Sequence, residues 1–396
     1  MKQSDFPFFS HHPELVYFDN AATTHKPWSV IKRIEQFYIT ENAPVYRSVY
    51  SLAEHATCLY EESRRTLRAF IGAQDCTEIV FTNNATHSAN IVAFGWGRYN
   101  LHPGDEIIVT ELDHHSHVLP WQVVAQERGC TLRWAPVKNN GELDYEAIEQ
   151  LITSATKVVA ISAVSNVTGT EVDIKRIVAL AHRYSAVAVV DASQYAPHKS
   201  IDVRSLGCDF LYFSGHKMMG PTGSGILYVN KACHEQMHPY MYGGGMVLQA
   251  SKSKSTWREM PYLLEAGSPP LAQIVGLAAA VEYLQEYIHG LAAYEANLCK
   301  VLIDGLQKYN QVKIIGSVDE LKRHGHLVSF VVNGMHGHDI AQVFADYNIA
   351  VRSGHHCAQP LHEKLGISSS LRVSFYGYNT LEEVERFLTA FAKIMQ

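Results

Sequence analysis

Two short stretches place an aspartate and a lysine at the ends of successive apolar runs. Val187-Ala188-Val189-Val190 is β-branched, reads as a strand and stops at Asp191. Phe210-Leu211-Tyr212-Phe213 is a second such run and stops at Ser214-Gly215-His216-Lys217. Ligands of an open α/β sheet collect where its strands end at their carboxyl side. A carboxylate there can hold a protonated pyridine nitrogen and keep the ring an electron sink, while an amine can form a Schiff base with an aldehyde. Pyridoxal 5'-phosphate (PLP) is the cofactor that needs both. Taken singly, an Asp after a strand serves as a helix N-cap and a Lys beside Gly as a solvated loop residue. It is the pair that points to chemistry.

A phosphate needs its own pole. Glu78-Ile79-Val80-Phe81-Thr82 reads as a strand, and Asn83-Asn84-Ala85-Thr86-His87-Ser88 opens an amphipathic helix whose first N–H groups and positive dipole end suit a phosphate monoester. Ile107-Ile108-Val109-Thr110 and Val158-Val159-Ala160-Ile161-Ser162 are further buried-strand patterns. They end at Glu111-Leu112-Asp113-His114-His115-Ser116-His117 and at Ser165-Asn166-Val167-Thr168-Gly169. An imidazole at His114 is flat and titrates near neutrality, which suits both stacking on a ring and moving protons. Strands alternating with helices predict right-handed crossovers and a mostly parallel sheet.

Asp191-Ala192-Ser193-Gln194 with Ser214-Gly215-His216-Lys217 resembles the cofactor signature of fold-type I PLP enzymes, within the class V aminotransferase group. The resemblance is narrowest to the cysteine desulfurases, in the branch that also includes selenocysteine lyases, and it runs over nearly the whole chain. Asp19-Asn20-Ala21-Ala22-Thr23-Thr24, Gly220-Pro221-Thr222-Gly223-Ser224-Gly225 and Leu264-Glu265-Ala266-Gly267-Ser268-Pro269 are similar to three more motifs of that family. Arg352-Ser353-Gly354-His355-His356-Cys357-Ala358-Gln359-Pro360 resembles the short cysteine segment of group II desulfurases.

The resemblance implies a fold-type I architecture: a large α/β domain with a mostly parallel seven-stranded sheet flanked by helices, and a smaller α+β C-terminal domain. It divides the chain into an arm over 1–20 that packs with the small domain, a PLP-binding domain over 21–270, and a linking helix plus small domain over 271–396. Lys217, Cys357 and His114 would be catalytic. Thr86, His114, Asp191, Gln194, Ser214, His216, Lys217 and Ser268 would hold PLP, with Gln194 at its phenolic oxygen and Ser268 reaching the phosphate of the neighbouring subunit of a homodimer. Asn20, Ala22, Asn166 and Arg372 would bind substrate, Arg372 as a planar bidentate donor for the α-carboxylate. The implied reaction converts L-cysteine to L-alanine and leaves a persulfide on Cys357 for a sulfur-acceptor protein, serving iron–sulfur cluster assembly or other sulfur traffic. A selenocysteine lyase, or a weakly active scaffold for the acceptor protein, is the alternative. Cys357 lies in a polar, basic segment of the kind that houses reactive thiols, so the adjacent histidines are expected to lower its pKa or take its proton.

The chain also departs from the family. Tyr46 and Tyr50, in Val45-Tyr46-Arg47-Ser48-Val49-Tyr50, stand where histidines are usual. Asn84 replaces a glycine, which still permits a left-handed backbone, and His87 replaces a glutamate and adds a potential cation near the phosphate.

The elements that must position these residues are legible from periodicity. Helices are expected over Trp28–Tyr38, Cys58–Ile71, Ile174–Tyr184, Asp339–Tyr347 and Leu381–Met395, with one long helix from Ala272 to about Tyr309. Strands are expected over Leu327–Val332 and Ala350–Arg352, and a mobile polar loop over Gln249–Arg258. With 396 residues, 47% hydrophobic and 18% charged, the chain can bury a large core. A net charge of −6 without basic runs gives no footprint for nucleic acid or anionic lipid. The N-terminal MKQSDFPFFSHHPEL shows no signal-peptide pattern, and seven scattered cysteines without a CxxC pair suit a reducing compartment, so a cytoplasmic location is expected. His114-His115-Ser116-His117, His336-Gly337-His338 and His355-His356-Cys357 fit no standard zinc spacing, and no metal is expected.

Overall fold

The structure, a computed structural model, describes residues 1–46 and 48–396, so Arg47 of the Val45–Tyr50 stretch lies outside the described residues. In chain order the first strands are β1 (Val16–Tyr17), β2 (Ile79–Thr82), β3 (Glu106–Thr110), β4 (Thr131–Ala135), β5 (Thr156–Ser162), β6 (Val187–Asp191), β7 (Phe210–Ser214) and β8 (Gly225–Val229). All but β1 form one seven-stranded sheet in the order β2-β8-β7-β6-β5-β3-β4. From β4 to β7 every pairing is parallel; β8 alone runs antiparallel to both its neighbours. Ile108, Ile161, Val190 and Phe213 enter one core and Val109, Ala160, Val189 and Tyr212 the other. That period of two, with both faces covered, is why these strands read as unbroken apolar runs.

The remaining strands are β9 (Val247–Ala250), β10 (Ser255–Trp257), β11 (Val312–Ile315), β12 (Leu327–Val332), β13 (Ile349–Ala350), β14 (Arg352–Gly354) and β15 (Ser370–Ser374). Four of them make a second, antiparallel sheet in the order β11-β12-β15-β14. Helices Ile288–Leu306, Gly337–Asp346 and Leu381–Ile394 share a core with it, in which Phe344, Phe387 and Phe391 stack. A capping box of Thr380 and Glu383 starts the last helix. β1 pairs in parallel with β13, Val16 opposite Ile349, as a separate two-stranded sheet, and a bridge from Asp19 to Ser374 of β15 ties the N-terminal arm to the second sheet.

Three expectations change. The apolar pattern after Ala272 is two helices, Leu271–Gln285 and Ile288–Leu306. The first is buried around most of its girth in the core of the large sheet, where Ile288 and Leu291 of the second also pack, and from Leu298 on the second is buried in the core of the small sheet. Gln249–Arg258 lies largely in a β9–β10 hairpin, closed by the Ser251 N–H donating to the Lys254 carbonyl at 2.8 Å. Ala350–Arg352 is not one strand: Ile349–Ala350 pairs with β1, while Arg352–Gly354 pairs with β15.

Candidate active site

In-register pairing brings Ser162, Asp191 and Tyr212 side by side near the carboxyl ends of β5, β6 and β7. The Asp191 carboxylate is buried and accepts the Ser193 N–H at 2.9 Å. Past the end of β7 the chain makes a tight turn over Gly215–Lys217. The His216 carbonyl there accepts the Thr24 N–H at 3.0 Å, which closes the N-terminal segment over the lysine loop. Burial pushes the Lys217 ammonium below its ordinary value, against the pull of Asp191. Burial and the Lys217 charge hold His216 down at about 4, so its ring is neutral at pH 7. A cavity of about 390 Å³ opens above these residues.

One end of that cavity is the start of the helix Ala85–Ile91. The Ala85 N–H donates to Ser214 Oγ at 2.9 Å, and the Thr86 and Ser116 hydroxyls meet at 2.8 Å. Gly225, where β8 begins, admits this approach: a Cβ there would fall 2.7 Å from the Asn84 Cα. Asn84 is not left-handed. Its backbone is fully extended and its side chain caps the helix, accepting the His87 N–H at 2.8 Å. Nor is His87 a cation: its Nδ1 accepts the Asn83 N–H at 3.2 Å, and burial lowers its pKa.

His114 N-caps the helix His115–Arg128, its Nδ1 accepting the Ser116 N–H at 3.1 Å. Burial and the nearby Lys217 charge lower it to about 4. The next residue grips the cysteine segment: the His115 N–H donates to the Cys357 carbonyl at 2.8 Å, and its Nε2 accepts the Gln359 N–H at 3.2 Å. Asn166 Nδ2 donates to the His356 carbonyl at 2.7 Å. Under these ties His356 and Cys357 both sit at positive φ, 51° and 58°, a conformation that side-chain-bearing residues avoid unless held. Cys357 is exposed and lines the cavity. His356 cannot supply charge to it: the ring is buried with Nε2 on the Ser370 carbonyl at 3.1 Å, and burial and Arg372 push it down to about 2. Arg372, 3% exposed, donates from Nη1 to the Asn166 carbonyl at 2.9 Å and from Nη2 to Asp19 at 3.1 Å, while its Nε has no partner.

Lys217, Asp191, Gln194, Ser214, His216, Thr86, His114, Ala22, Asn166, Arg372 and Cys357 thus line one cavity. Two residues lie elsewhere: Asn20, which departs from the expectation, and Ser268, expected at the phosphate of a neighbouring subunit. Asn20 is turned away: its Nδ2 serves the carbonyls of Tyr17 and Ser374 and the Asn379 amide oxygen, and its own oxygen accepts from Tyr378. Ser268 lines a second cavity of about 760 Å³, shared with Tyr46, Tyr60, Arg258 and Glu265. Residues passed over in the sequence also line the first cavity, namely Ser116, Ser193, Thr222 and Arg352. The signal for Arg352 was its register: it pairs directly across from Arg372, and both guanidinium groups approach Asp19.

The sequence model of the aminotransferase class-V family matches residues 16–387. A probable cysteine desulfurase of Halalkalibacterium halodurans is 44% identical over 372 residues, 94% of this chain and 91% of that protein. One from Halobacterium salinarum is 39% identical over 98% of this chain and 94% of its own length. Among solved structures, the apo cysteine desulfurase of Thermococcus onnurineus NA1 superposes with a TM-score of 0.94 at 39% identity, covering 99% of this chain and 96% of that one. The Escherichia coli cysteine desulfurase CsdA, in its S-sulfonic acid form, gives 0.92 at 36% identity, with 99% and 97% covered.

Proposed function

We propose that this chain, which belongs to the class-V aminotransferase family and within it to the PLP-dependent cysteine desulfurases, converts L-cysteine to L-alanine and parks the sulfur on Cys357 as a persulfide. The observation that carries this reading is that Lys217, Asp191, Arg372 and Cys357 edge one cavity. The cavity suits PLP: a carboxylate and an amine face it, the start of a helix bounds it, and buried Ser193 Oγ and Arg372 Nε have no protein partner. Asp191 would hold the pyridine N–H, the Ala85–Thr86 end with Ser214 the phosphate, Gln194 the phenolic oxygen, and His114 the ring face. When bound, PLP supplies an electron-withdrawing ring that stabilises negative charge at the substrate α-carbon.

The protein's own groups do the rest. Arg372 binds and orients the α-carboxylate, with Asn166 beside it. Lys217, whose amine burial makes easier to deprotonate, takes the α-proton. The Cys357 thiolate attacks the substrate sulfur: an S–S bond forms as the substrate Cβ–S bond breaks, the bonding pair stays with carbon, and the carbon side leaves as alanine after Cβ takes up a proton and Lys217 returns the α-proton. The exposed Cys357 then offers its outer sulfur to an acceptor protein's thiol.

A homodimer accounts for the second cavity, which Ser268 and Tyr46 line, and for the exposed Tyr38, Ile39, Val49 and Leu248. The chain works as an arm over 1–20, a PLP-binding domain over 21–270 and, over 271–396, two helices, the first packed on the large sheet, leading into the small domain; the strands of the two large sheets, confined to 79–229 and 312–374, support that division. Among the described residues no helix is long and apolar enough to cross a membrane. Together with seven free cysteines, this supports a cytoplasmic site of action. Purified protein should be yellow, change its absorbance on adding L-cysteine and release alanine. Side-by-side rates with L-selenocysteine test the substrate: a large preference for selenocysteine would replace desulfurase by lyase.

A further inference from the structure

Four segments meet at a buried polar junction beside the cavity. Gln194 and His198 follow β6, His326 immediately precedes β12, Glu295 lies on the helix Ile288–Leu306, and Ala21 comes from the N-terminal segment. Gln194, His198 and His326 are each 4% exposed and Glu295 is fully buried. Only Gln194 and Ala21 among them line the cavity.

The hydrogen bonds fix their own polarity. Gln194 Nε2 lies 2.8 Å from the Ala21 carbonyl, which can only accept, so the nitrogen end of the amide is assigned. The other end, Oε1, can only accept, and it lies 3.4 Å from His326 Nε2. His326 must therefore carry its proton on Nε2. The His326 ring stacks on that of His198, centroids 3.8 Å apart at 18°, and His198 Nδ1 bonds Glu295 at 2.9 Å. Burial keeps both rings neutral; His198, Lys199, Arg372 and Lys217 all oppose a charge on His326, and burial raises the Glu295 carboxyl. Tyr376 completes the packing edge-on to His198.

We propose that His326 is a positioning residue: by donating to Gln194 Oε1 it holds the amide so that the second N–H of Nε2 serves the phenolic oxygen of PLP. The small domain thereby adjusts the acidity of a cofactor held by the large one. The inference rests on the PLP reading above and on Gln194 facing that oxygen. A donated hydrogen bond favours the deprotonated oxygen, so losing its support raises the pH at which the bound cofactor changes protonation.

The test is a pH titration of the visible absorbance of the holoenzyme for wild type, His326→Ala, His326→Gln and Gln194→Ala. His326→Ala should raise the midpoint by about half to one pH unit, the scale of one net hydrogen bond. Gln194→Ala should raise it at least as far, and His326→Gln, which retains an N–H donor, should restore it. A midpoint unmoved in His326→Ala while Gln194→Ala moves it overturns the inference and leaves the desulfurase reading standing. A midpoint unmoved in Gln194→Ala overturns it too, whereas wild-type protein without a PLP chromophore overturns both readings. Should His326→Ala not fold, His326→Gln decides alone: a wild-type midpoint is expected, and a raised one overturns the proposal.

Discussion

Arg372 is a buried cation with unspent donors. Its Nη atoms already hold the Asn166 carbonyl and Asp19, and a substrate carboxylate would add the contact that Nε lacks. Losing a charge-assisted pair costs about 1.5–3 kcal/mol, so Arg372→Ala should raise the cysteine KM tenfold or more with the cofactor spectrum retained. Steady-state rates decide; an unchanged KM removes the residue from carboxylate binding. In the proposed reaction Cys357 acts later than the groups that bind cysteine. Cys357→Ala should keep the cysteine-induced spectral change and lose persulfide transfer, read by thiol trapping and mass spectrometry. Sulfide release from cysteine at the wild-type rate in that variant would defeat the desulfurase reading. For Lys217, borohydride reduction of the holoenzyme and peptide mapping should leave the pyridoxyl label on that residue and no other.

Among elements, the junction of β2, β8 and the helix Ala85–Ile91 has little slack. Gly225 pairs with Thr82 on one side and Ser214 on the other, and the Asn84 backbone crosses directly over it. A methyl group placed 2.7 Å from a backbone atom cannot be absorbed by a rotamer change, so the helix start must move away from the strand ends. Overpacking of this kind costs about 1–3 kcal/mol. Gly225→Ala should therefore lower the melting temperature and weaken PLP binding several-fold, measured by equilibrium dialysis of the apoprotein. PLP affinity equal to wild type would mean that this helix start does not hold the phosphate.

The whole molecule hides many neutral imidazoles. Burial lowers His25, His114 and His216 to about 4, His198 to about 3 and His356 to about 2, each from an ordinary 6.5. Between about 4 and 6.5 the unfolded chain thus binds more protons at these positions than the folded one, and their contribution to stability grows with pH across that window. The carboxyls of Asp113, Glu295 and Glu383 are raised by burial and pull the other way, but the imidazoles outnumber them. Urea unfolding should show stability rising from about pH 5 to pH 7, with net proton uptake on unfolding. A flat or falling profile would show that the rings are not held neutral.

Asp191 and Lys217 stand out as candidates in the sequence because their signals are local, an apolar run that stops and a short turn, whereas Cys357 stands out through the resemblance of its polar segment, set between glycine and proline, to that of the desulfurases. Local pattern also sufficed for the mostly parallel sheet, since strands covered on both faces have no polar side to confuse the period. Tertiary structure decided what depends on desolvation or on distant partners. Asn84 became an extended cap, His87 and His356 became neutral, and Asn20 was spent on Ser374 and Asn379, more than 350 positions away. The helical run after Ala272 is two helices whose burial passes from the core of the large sheet, up to Leu291, to that of the small sheet from Leu298. The His326 contact with Gln194 spans 132 positions and joins segments with no shared pattern. Periodicity reports which face of an element is covered; only the folded chain shows by what, and that identity sets charge, tautomer and reach.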